Sequence, residues 1–284
     1  MGFHFSKRFA KKNLISLTPI LLSTFSLSVQ AGAWVPEQGQ GYGKLGEQIY
    51  KADDFFGGSS DVHEFRGNNL SFYGELGLGN NNAIYGTILA QDIEQTDTAG
   101  NKVSSSGLGD VEVGIRHQWS SDPVVFATSF LVKLPYFYDE DEALPRGNGQ
   151  LDYEVRALVG KSLYPYGYAG FELGYRVRTE SPSDEIRYLL EYGYSFNDHL
   201  YFRTKLDGIL SAENADSTGT ASGNLSLTPE YDLTKWELTA GWNFDPSQND
   251  KNKRWGVELT YTDEVSGDNT LKGDAIQLGI TRVF

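Results

Sequence analysis

The feature that most constrains the fold is an alternation of apolar and polar residues that recurs in pairs along the chain. In residues 70–78, apolar side chains occupy even positions, whereas odd positions are mostly polar or small. Similar stretches are joined by short turns at residues 79–82, 120–123, 164–167 and 197–199. Because successive side chains of a strand point to opposite faces, each stretch predicts a strand with one apolar face. The chain is therefore predicted to be all-β, with neighbouring strands antiparallel.

The N-terminal region has the pattern of a secretory signal peptide. Four basic residues precede an apolar run from residue 14 to about residue 29, and small residues follow at Ala31, Gly32 and Ala33. We predict that residues 1–31 are removed by cleavage after Ala31, with Ala33 as the second choice. The run is too short and too polar to remain as a spanning helix.

Composition limits what residues 32–284 can form. They contain no apolar window long enough for a transmembrane helix, so the chain is soluble or crosses a membrane as a closed barrel. Their 20 basic and 38 acidic residues give a formal net charge of −18, which argues against nucleic acid as a partner. With no Cys, the chain has no disulfide, thiolate metal site or lipidated cysteine. The 17 Tyr, 16 Phe and 32 Gly of the full chain favour a single β domain.

Short turns alternate with longer polar loops, which is typical of an up-and-down transmembrane β-barrel. A hairpin at residues 232–235 would give an odd number of strands, whereas one descending strand over residues 230–244 gives an even number, about twelve. The first strand is predicted over residues 41–51. The predicted long connections are then 53–69, 211–229 and 262–272 on the outer side and 245–253 on the periplasmic side.

Aromatic residues decide between a membrane barrel and a soluble sandwich, which would show the same alternation. They cluster at strand ends beside the short turns, as in the girdle of a membrane interface. This placement predicts a bacterial outer-membrane protein with lipid around it. The girdle residues are Trp119, Tyr164, Phe196, Phe202, Phe244, Trp255 and Phe284.

The last strand, residues 273–284, ends in a pattern similar to the assembly signal of bacterial outer-membrane β-barrels. The resemblance rests on Gln277, Gly279 and the terminal Phe284. It implies recognition by the barrel assembly machinery and places Phe284 on the periplasmic side. Arg282 departs from the pattern, which usually has an aromatic or aliphatic residue there. So near the interface, a lipid-facing Arg costs only about 0–1 kcal/mol.

Charged residues occupy the polar faces of four successive strands. We expect neighbouring charges to lie close together in the pairs Arg156–Glu172, Glu172–Glu191, Glu191–Lys205 and Arg176–Arg187. Two interpretations are open: an ion network that stiffens a narrow lumen, or a constriction that selects solutes. The predicted lumen network comprises Asp152, Glu154, Arg156, Glu172, Arg176, Arg178, Arg187, Glu191, Arg203, Lys205 and Asp207.

Acidic residues in the outer loops include the run 139–142 and Asp53, Asp54, Asp61 and Glu64. Clustered carboxylates suit Ca²⁺, but no spacing resembles a calcium loop. A solvated charge run is the favoured interpretation. We predict no metal and no cofactor.

Histidines are scarce after residue 31, where only His63, His117 and His199 occur. His117 is predicted to face lipid beside the periplasmic girdle, where an outer-membrane phospholipase could use it. It lacks evident Ser and Asn partners, so we expect no catalytic residues and no enzyme.

Several segments together resemble poorly characterised outer-membrane barrels described as putative transporters, including those of the MetA-pathway of phenol degradation type. The resemblance implies a transport role and makes residues 231–233 the top of a descending strand. The segments that carry it are Gly32-Ala33-Trp34, Gly41-Tyr42, residues 149–152 and 158–160, residues 183–194, Tyr231-Asp232-Leu233 and residues 267–270 before Phe284.

The sequence thus predicts an outer-membrane channel for small solutes, with aromatic or hydrophobic solutes as candidates. The alternative is a non-conducting barrel whose acidic outer loops bind surface polysaccharide or a secretion partner. Aromatic residues of the outer loops would form an outer girdle or a first contact for a ligand, and the girdle is favoured. These residues are Phe55, Phe56, Tyr136, Phe137 and Tyr138.

Overall fold

The computed structural model describes residues 32–57, 62–216, 224–245 and 253–284, so the predicted signal peptide lies outside the described residues. No helix in these ranges is long and apolar enough to cross a membrane. The strands are β1 Gly41–Phe56, β2 Val62–Gly79, β3 Asn82–Asp97, β4 Lys102–Ser120, β5 Val125–Leu134, β6 Asp152–Ser162, β7 Tyr168–Arg178, β8 Glu185–Ser195, β9 Leu200–Ser211, β10 Asp232–Asn243, β11 Arg254–Asp268 and β12 Thr270–Val283.

The twelve strands form a closed antiparallel barrel in which each strand pairs with the next and β12 pairs with β1. This confirms the predicted all-β, up-and-down barrel of about twelve strands. It also confirms one descending strand in place of a hairpin at residues 232–235, although β10 covers Asp232–Asn243 and not the whole predicted range 230–244. The even count places the first residue of β1 and the last of β12 at the same end of the barrel.

Two of the predicted outer loops are wrong. Residues 53–69 are mostly strand, since β1 continues to Phe56 and β2 begins at Val62. Residues 262–272 contain no long loop, because β11 and β12 are joined at Asn269, which has a φ of 54°. Both ranges are rich in polar residues, so polarity alone does not distinguish these strand ends from loops.

The barrel wall is uneven in height. Strands β1 to β4 have 16, 18, 16 and 19 residues, whereas β5 to β8 have only 10 or 11. The sequence predicted β4 only from residue 110, because its first half is rich in Ser and Gly. The long strands extend the β1–β4 side of the wall on the outer side.

The exterior is apolar and the interior polar, as a membrane-spanning barrel requires. Val155 and Leu278 are 62% and 61% exposed, whereas Glu258 and Arg176 are 1% and 4% exposed. The seven predicted girdle aromatics are all exposed, although Tyr164, in the β6–β7 turn, also lines the lumenal cavity.

Tyrosine side chains that point inward pack against glycines of neighbouring strands. A Cβ added to any of these glycines would collide with the ring, so the missing side chain lets the ring lie along the wall. The ring therefore occupies little of the lumen. The pairs are Tyr85 with Gly114, Tyr168 with Gly193 and Tyr201 with Gly241.

The C-terminus closes the barrel. Gly41 N donates to Phe284 O at 2.7 Å, and Phe284 N donates to Gly41 O at 3.0 Å. Arg282 lies on the outer face, where its guanidinium stacks over the Trp255 ring at 4.6 Å. This cation–π contact at the girdle gives the one charge of the terminal apolar face a favourable neighbour.

Candidate functional site

The lumen contains a cavity of about 1470 Å³. Seven basic and seven acidic side chains line it, so its wall is neutral overall although the full chain has a formal net charge of −14. Three further buried carboxylates, Glu185, Glu191 and Glu258, pair with lining cations from behind. The basic lining residues are Lys44, Arg116, Arg156, Arg176, Arg187, Arg203 and Lys205, and the acidic ones are Glu37, Glu75, Glu112, Glu154, Glu172, Asp207 and Glu237.

Glu154 on β6 is the centre of the predicted network. Arg156 Nη2 lies 2.7 Å from Glu154 Oε1, and Arg176 Nε lies 2.9 Å from Oε2. Arg187 Nε approaches the same Oε2 at 3.9 Å. Arg156 also binds Glu172 at 2.6 Å, which confirms that predicted pair. Three guanidinium groups thus surround one carboxylate that is 2% exposed.

The other predicted pairings are met in part. Glu191 lies opposite Lys205, with 3.7 Å between Oε2 and Nζ, as expected. Glu172 is instead opposite Leu189, so it is offset from Glu191. The register likewise offsets Arg176 from Arg187.

Arg176 lies opposite Glu185, and Arg187 opposite Gly174. The two guanidinium groups are therefore linked through Glu154 and do not face each other. Arg156 and Glu172 have the same two-residue offset between β6 and β7, yet their side chains meet, so the register alone does not decide which charges pair.

The remaining predicted residues have partners outside the predicted set of eleven or line the cavity. Asp152 binds Lys133 of β5 at 3.0 Å, and Arg178 binds Glu185 at 3.1 Å. Asp207 lines the cavity opposite Lys235 of β10. The predicted residues thus belong to a network that extends around the barrel.

The sequence analysis missed a second buried cluster around Glu258 of β11. Its Oε2 lies 2.8 Å from Lys44 Nζ and 3.4 Å from Arg203 Nη2. The Tyr201 hydroxyl donates to Oε1 at 2.6 Å. Arg203 was in the predicted network, but its partner was not. Glu258 lies on the polar parity of β11, so extending the parity rule to all strands would have found it.

A third cluster joins β2, β3 and β4. Arg116 is 6% exposed and binds Glu75 at 2.7 Å. Its guanidinium also lies over the Tyr85 ring at 5.0 Å. Its Nη1 further donates to Trp34 O at 3.4 Å, which links this cluster to the N-terminal segment, defined as residues 32–40. Neither Arg116 nor Glu75 was singled out from sequence.

Two outer loops fold into the outer mouth. Leu144, in the β5–β6 loop, is 1% exposed and packs with Phe65, Ile93 and Leu271 of the wall. Leu225, in the β9–β10 loop, packs against the same cluster. This apolar cluster narrows the outer mouth on the side of β12 and β1 to β3.

The β5–β6 loop is fixed to the upper part of β4. Arg146 donates to Ser106 O at 2.6 Å and to Leu108 O at 3.1 Å. The Tyr138 hydroxyl donates to Asp110 at 2.7 Å. Burial and this hydrogen bond raise the pKa of Tyr138, so the hydroxyl keeps its proton.

The five aromatic residues of the outer loops have different surroundings. Tyr136 and Phe137 are 69% and 47% exposed, whereas Phe55 packs against the apolar cluster. Lys272 Nζ lies 5.6 Å above the Phe56 ring. Tyr138 anchors its loop, as described above. They do not form one ligand-facing group.

The expectation that His117 lacks an Asn partner is wrong, because His117 Nδ1 lies 3.0 Å from Asn82 Oδ1. On the other side, β5 presents Thr128 opposite His117. The Thr128 hydroxyl accepts from the Trp119 indole at 3.0 Å. Asn82, His117 and Thr128 thus form a row on the outer face at the girdle. The Thr128 hydroxyl is already hydrogen-bonded to Trp119.

Within the described ranges, no group of three or more His, Asp or Glu side chains is placed to hold a metal ion. The acidic run at residues 139–142 contributes instead to its loop. Glu142 binds Arg146 at 3.2 Å and accepts from Ser105 at 2.6 Å. Asp61 lies outside the described residues.

Comparison with solved structures gives the same fold. An outer membrane channel from Pseudomonas putida F1 aligns with a TM-score of 0.67 and 13% identity, covering 90% of this chain and all of that one. The NanC porin aligns at 0.48 with 10% identity, covering 83% of this chain and 98% of its own, and the KdgM porin aligns at 0.46 with 8% identity, covering 85% and 99%. The two porin alignments are too weak to carry an argument.

No family model matches the chain, and no curated protein matches it. The resemblance to barrels of the MetA-pathway type therefore stays a prediction.

Proposed function

We propose that this protein is a bacterial outer-membrane channel that passes small solutes through a charge-lined lumen. The observation that carries the proposal is the cavity of about 1470 Å³ inside an apolar-faced barrel, lined by seven basic and seven acidic side chains. Charged groups on both sides of a narrow lumen bind hydrated solutes weakly at several points, which favours passage over retention.

A second candidate function is a sealed barrel of the envelope. It is favoured by the loops that fold into the outer mouth and by the ion pairs along the lumenal face of neighbouring strands. Such networks also stiffen a barrel that carries nothing. In that case the acidic outer loops would be the functional surface.

Planar-bilayer recordings of the protein purified from outer membranes distinguish the two functions. A channel gives discrete conductance steps, whereas a sealed barrel gives none. Liposome swelling with sugars and aromatic acids then ranks the solutes. The balanced lining predicts weak ion selectivity, with a reversal potential close to zero in a salt gradient.

The double variant Arg176→Ala, Arg187→Ala tests whether the network selects solutes. Removing two cations leaves Glu112, Glu154 and Glu185 with fewer partners, so the reversal potential should shift toward cation selectivity. Arg66→Ala is the control, because Arg66 is exposed outside the lumen. An unchanged reversal potential in a folded double variant would instead assign the network a structural role.

A further inference from the structure

The N-terminal segment lies inside the periplasmic end of the barrel. Ala33 is 1% exposed and packs with Val125 and Ala127 of β5 and Leu158 of β6. Trp34 joins this cluster and meets the Tyr168 ring of β7 edge-on, with 5.7 Å between centroids. The first residues of the segment are therefore docked on β5, β6 and β7.

The rest of the segment follows the wall toward β1. Val35 N donates to Gln118 Oε1 of β4 at 2.9 Å. Gly39 N donates to Gly77 O of β2 at 3.0 Å, and Gly77 N donates to Gln40 O at 2.9 Å. The chain then enters β1 at Gly41.

The barrel wall leaves space for the N-terminal segment at two glycines, Gly160 and Gly77, which have no side chain. A Cβ on Gly160 of β6 would collide with the Trp34 ring. A Cβ on Gly77 of β2 would collide with the carbonyls of Pro36 and Glu37. By contrast, a Cβ on Gly170 of β7 would make only ordinary contacts, at 3.8 Å or more. The two glycines in question thus lie directly under the segment.

The path of the segment covers about half of the barrel circumference. In a ring of twelve strands β1 and β7 are opposite, and the segment contacts β2, β4, β5, β6 and β7 between them. Because Gly32, Trp34, Val35, Pro36 and Glu37 all line the cavity, the segment forms part of the lumen wall. It narrows the periplasmic exit on this side.

We propose that the N-terminal segment is the size-determining constriction of the periplasmic exit, with Trp34 as the residue that anchors it. This rests on the proposed channel function. The outer mouth is narrowed on the side of β12 and β1 to β3, whereas the segment narrows the other end mainly from β4 to β7. Solutes must pass the side of the exit that the segment leaves open, and its position sets the largest solute that passes.

Two variants test the constriction by changing either side of the contact between Trp34 and Gly160. Trp34→Ala removes the anchoring ring. Gly160→Val fills the space on β6 that the Trp34 ring occupies, and leaves the sequence of the segment unchanged. Each should raise single-channel conductance about twofold, since conductance follows the open cross-section, and should admit larger sugars in liposome swelling. Gly170→Ala, on the adjacent strand, is the control and should behave as wild type.

Thiol labelling gives a readout that does not depend on conduction. The chain has no Cys, so Ala33→Cys carries the only thiol. A water-soluble maleimide should label it slowly in the folded barrel and at least tenfold faster when Gly160→Val is added. Folding is checked by the heat-dependent gel shift of the barrel.

Three outcomes separate the hypotheses. Wild-type conductance and sugar cut-off in folded Trp34→Ala and Gly160→Val would overturn the constriction and leave the channel intact. Fast labelling of Ala33→Cys in the wild-type background would also overturn it. If labelling follows the prediction but no protein gives conductance steps, the docking stands and both the channel and the constriction fail.

Discussion

At the scale of single residues, Glu258 shows how far the stability of the barrel depends on the pairing of buried charges, because it is the shared partner of two cations. Glu258→Ala leaves Lys44 and Arg203 buried beside each other without their shared carboxylate. Breaking a buried ion pair from one side costs about 3–5 kcal/mol, so we expect a loss of that size in the free energy of unfolding. Urea unfolding in lipid vesicles measures it. Glu64→Ala is the control, because its partner Arg66 is exposed, and it should cost no more than about 1 kcal/mol.

A loss of less than about 1 kcal/mol for Glu258→Ala would contradict a buried charge cluster. Water entering from the cavity would then be stabilising the two cations.

Glu47 is a charge in an unfavourable place. It is exposed on the outer face of β1, opposite Leu70 of β2 and Leu278 of β12. Leu45 and Ile49, its neighbours on the same face, are exposed as well. A carboxylate among lipid-facing aliphatic side chains is destabilising, so Glu47→Leu should raise the free energy of unfolding by about 1–2 kcal/mol.

The expected gain from Glu47→Leu depends on the depth of Glu47 in the bilayer. Arg282→Leu, at the girdle and stacked on Trp255, is the matched comparison and should change stability by less than about 1 kcal/mol. Equal effects of the two variants in the same vesicles would argue against a mid-bilayer position of Glu47.

At the scale of elements, neighbouring strands pack together where an inward tyrosine ring of one strand lies over a glycine of the next. Gly193 of β8 lies under the Tyr168 ring of β7, so Gly193→Ala forces the ring off the wall and should cost about 1–3 kcal/mol. Gly170→Ala adds a methyl group where there is room and should stabilise β7 by about 0.5 kcal/mol, because Gly is a poor strand residue. Thermal or urea unfolding of the two variants should therefore shift in opposite directions.

Shifts of the same sign would mean that the ring position does not depend on the glycine beneath it. Gly193→Ala with Tyr168→Ala is the further check, since removing the ring should remove most of the penalty of the added methyl group.

At the scale of the whole molecule, closure of the barrel depends on its last residue. Deleting Phe284 removes both backbone hydrogen bonds to Gly41 and the terminal aromatic ring. We expect less assembled barrel in outer membranes, measured by the heat-modifiable band. Phe284→Tyr keeps the backbone and an aromatic ring, and should assemble normally. Phe284→Ala keeps the backbone bonds and isolates the contribution of the ring.

Wild-type amounts of assembled barrel after the deletion would contradict the assembly role predicted for Gln277, Gly279 and Phe284. The same deletion tested by refolding in detergent separates recognition in the cell from barrel closure itself.

Much of the fold was predictable because strand parity is a local property. Residues 70–78 indicate their apolar face without reference to any other strand, and the terminal Phe284 fixes the side on which β12 ends. The need for an even number of strands then identifies β10 as one descending strand. The lipid-facing belt and the girdle follow from the same local pattern.

The candidate site was only partly predictable, because it depends on register and on chain segments that lack a pattern. Arg156 binds Glu172 as predicted, whereas the contact of both Arg176 and Arg187 with Glu154 does not follow from the sequence. Glu258 and Arg116 bind partners that lie far away in sequence. The polar strand ends of β1 and β2 have no sequence pattern that separates them from loops.

The sequence by itself determined the class of barrel, the number of strands, the face of each strand that meets lipid and the charged face that meets the lumen. Each follows from alternation along a strand and from the backbone hydrogen bonds that lipid cannot supply. Only the tertiary structure decided which charges pair across strands, and that the N-terminal segment and two outer loops narrow the lumen from opposite ends. Those contacts join residues far apart in sequence, and their geometry is set by register and by the space that particular glycines leave open.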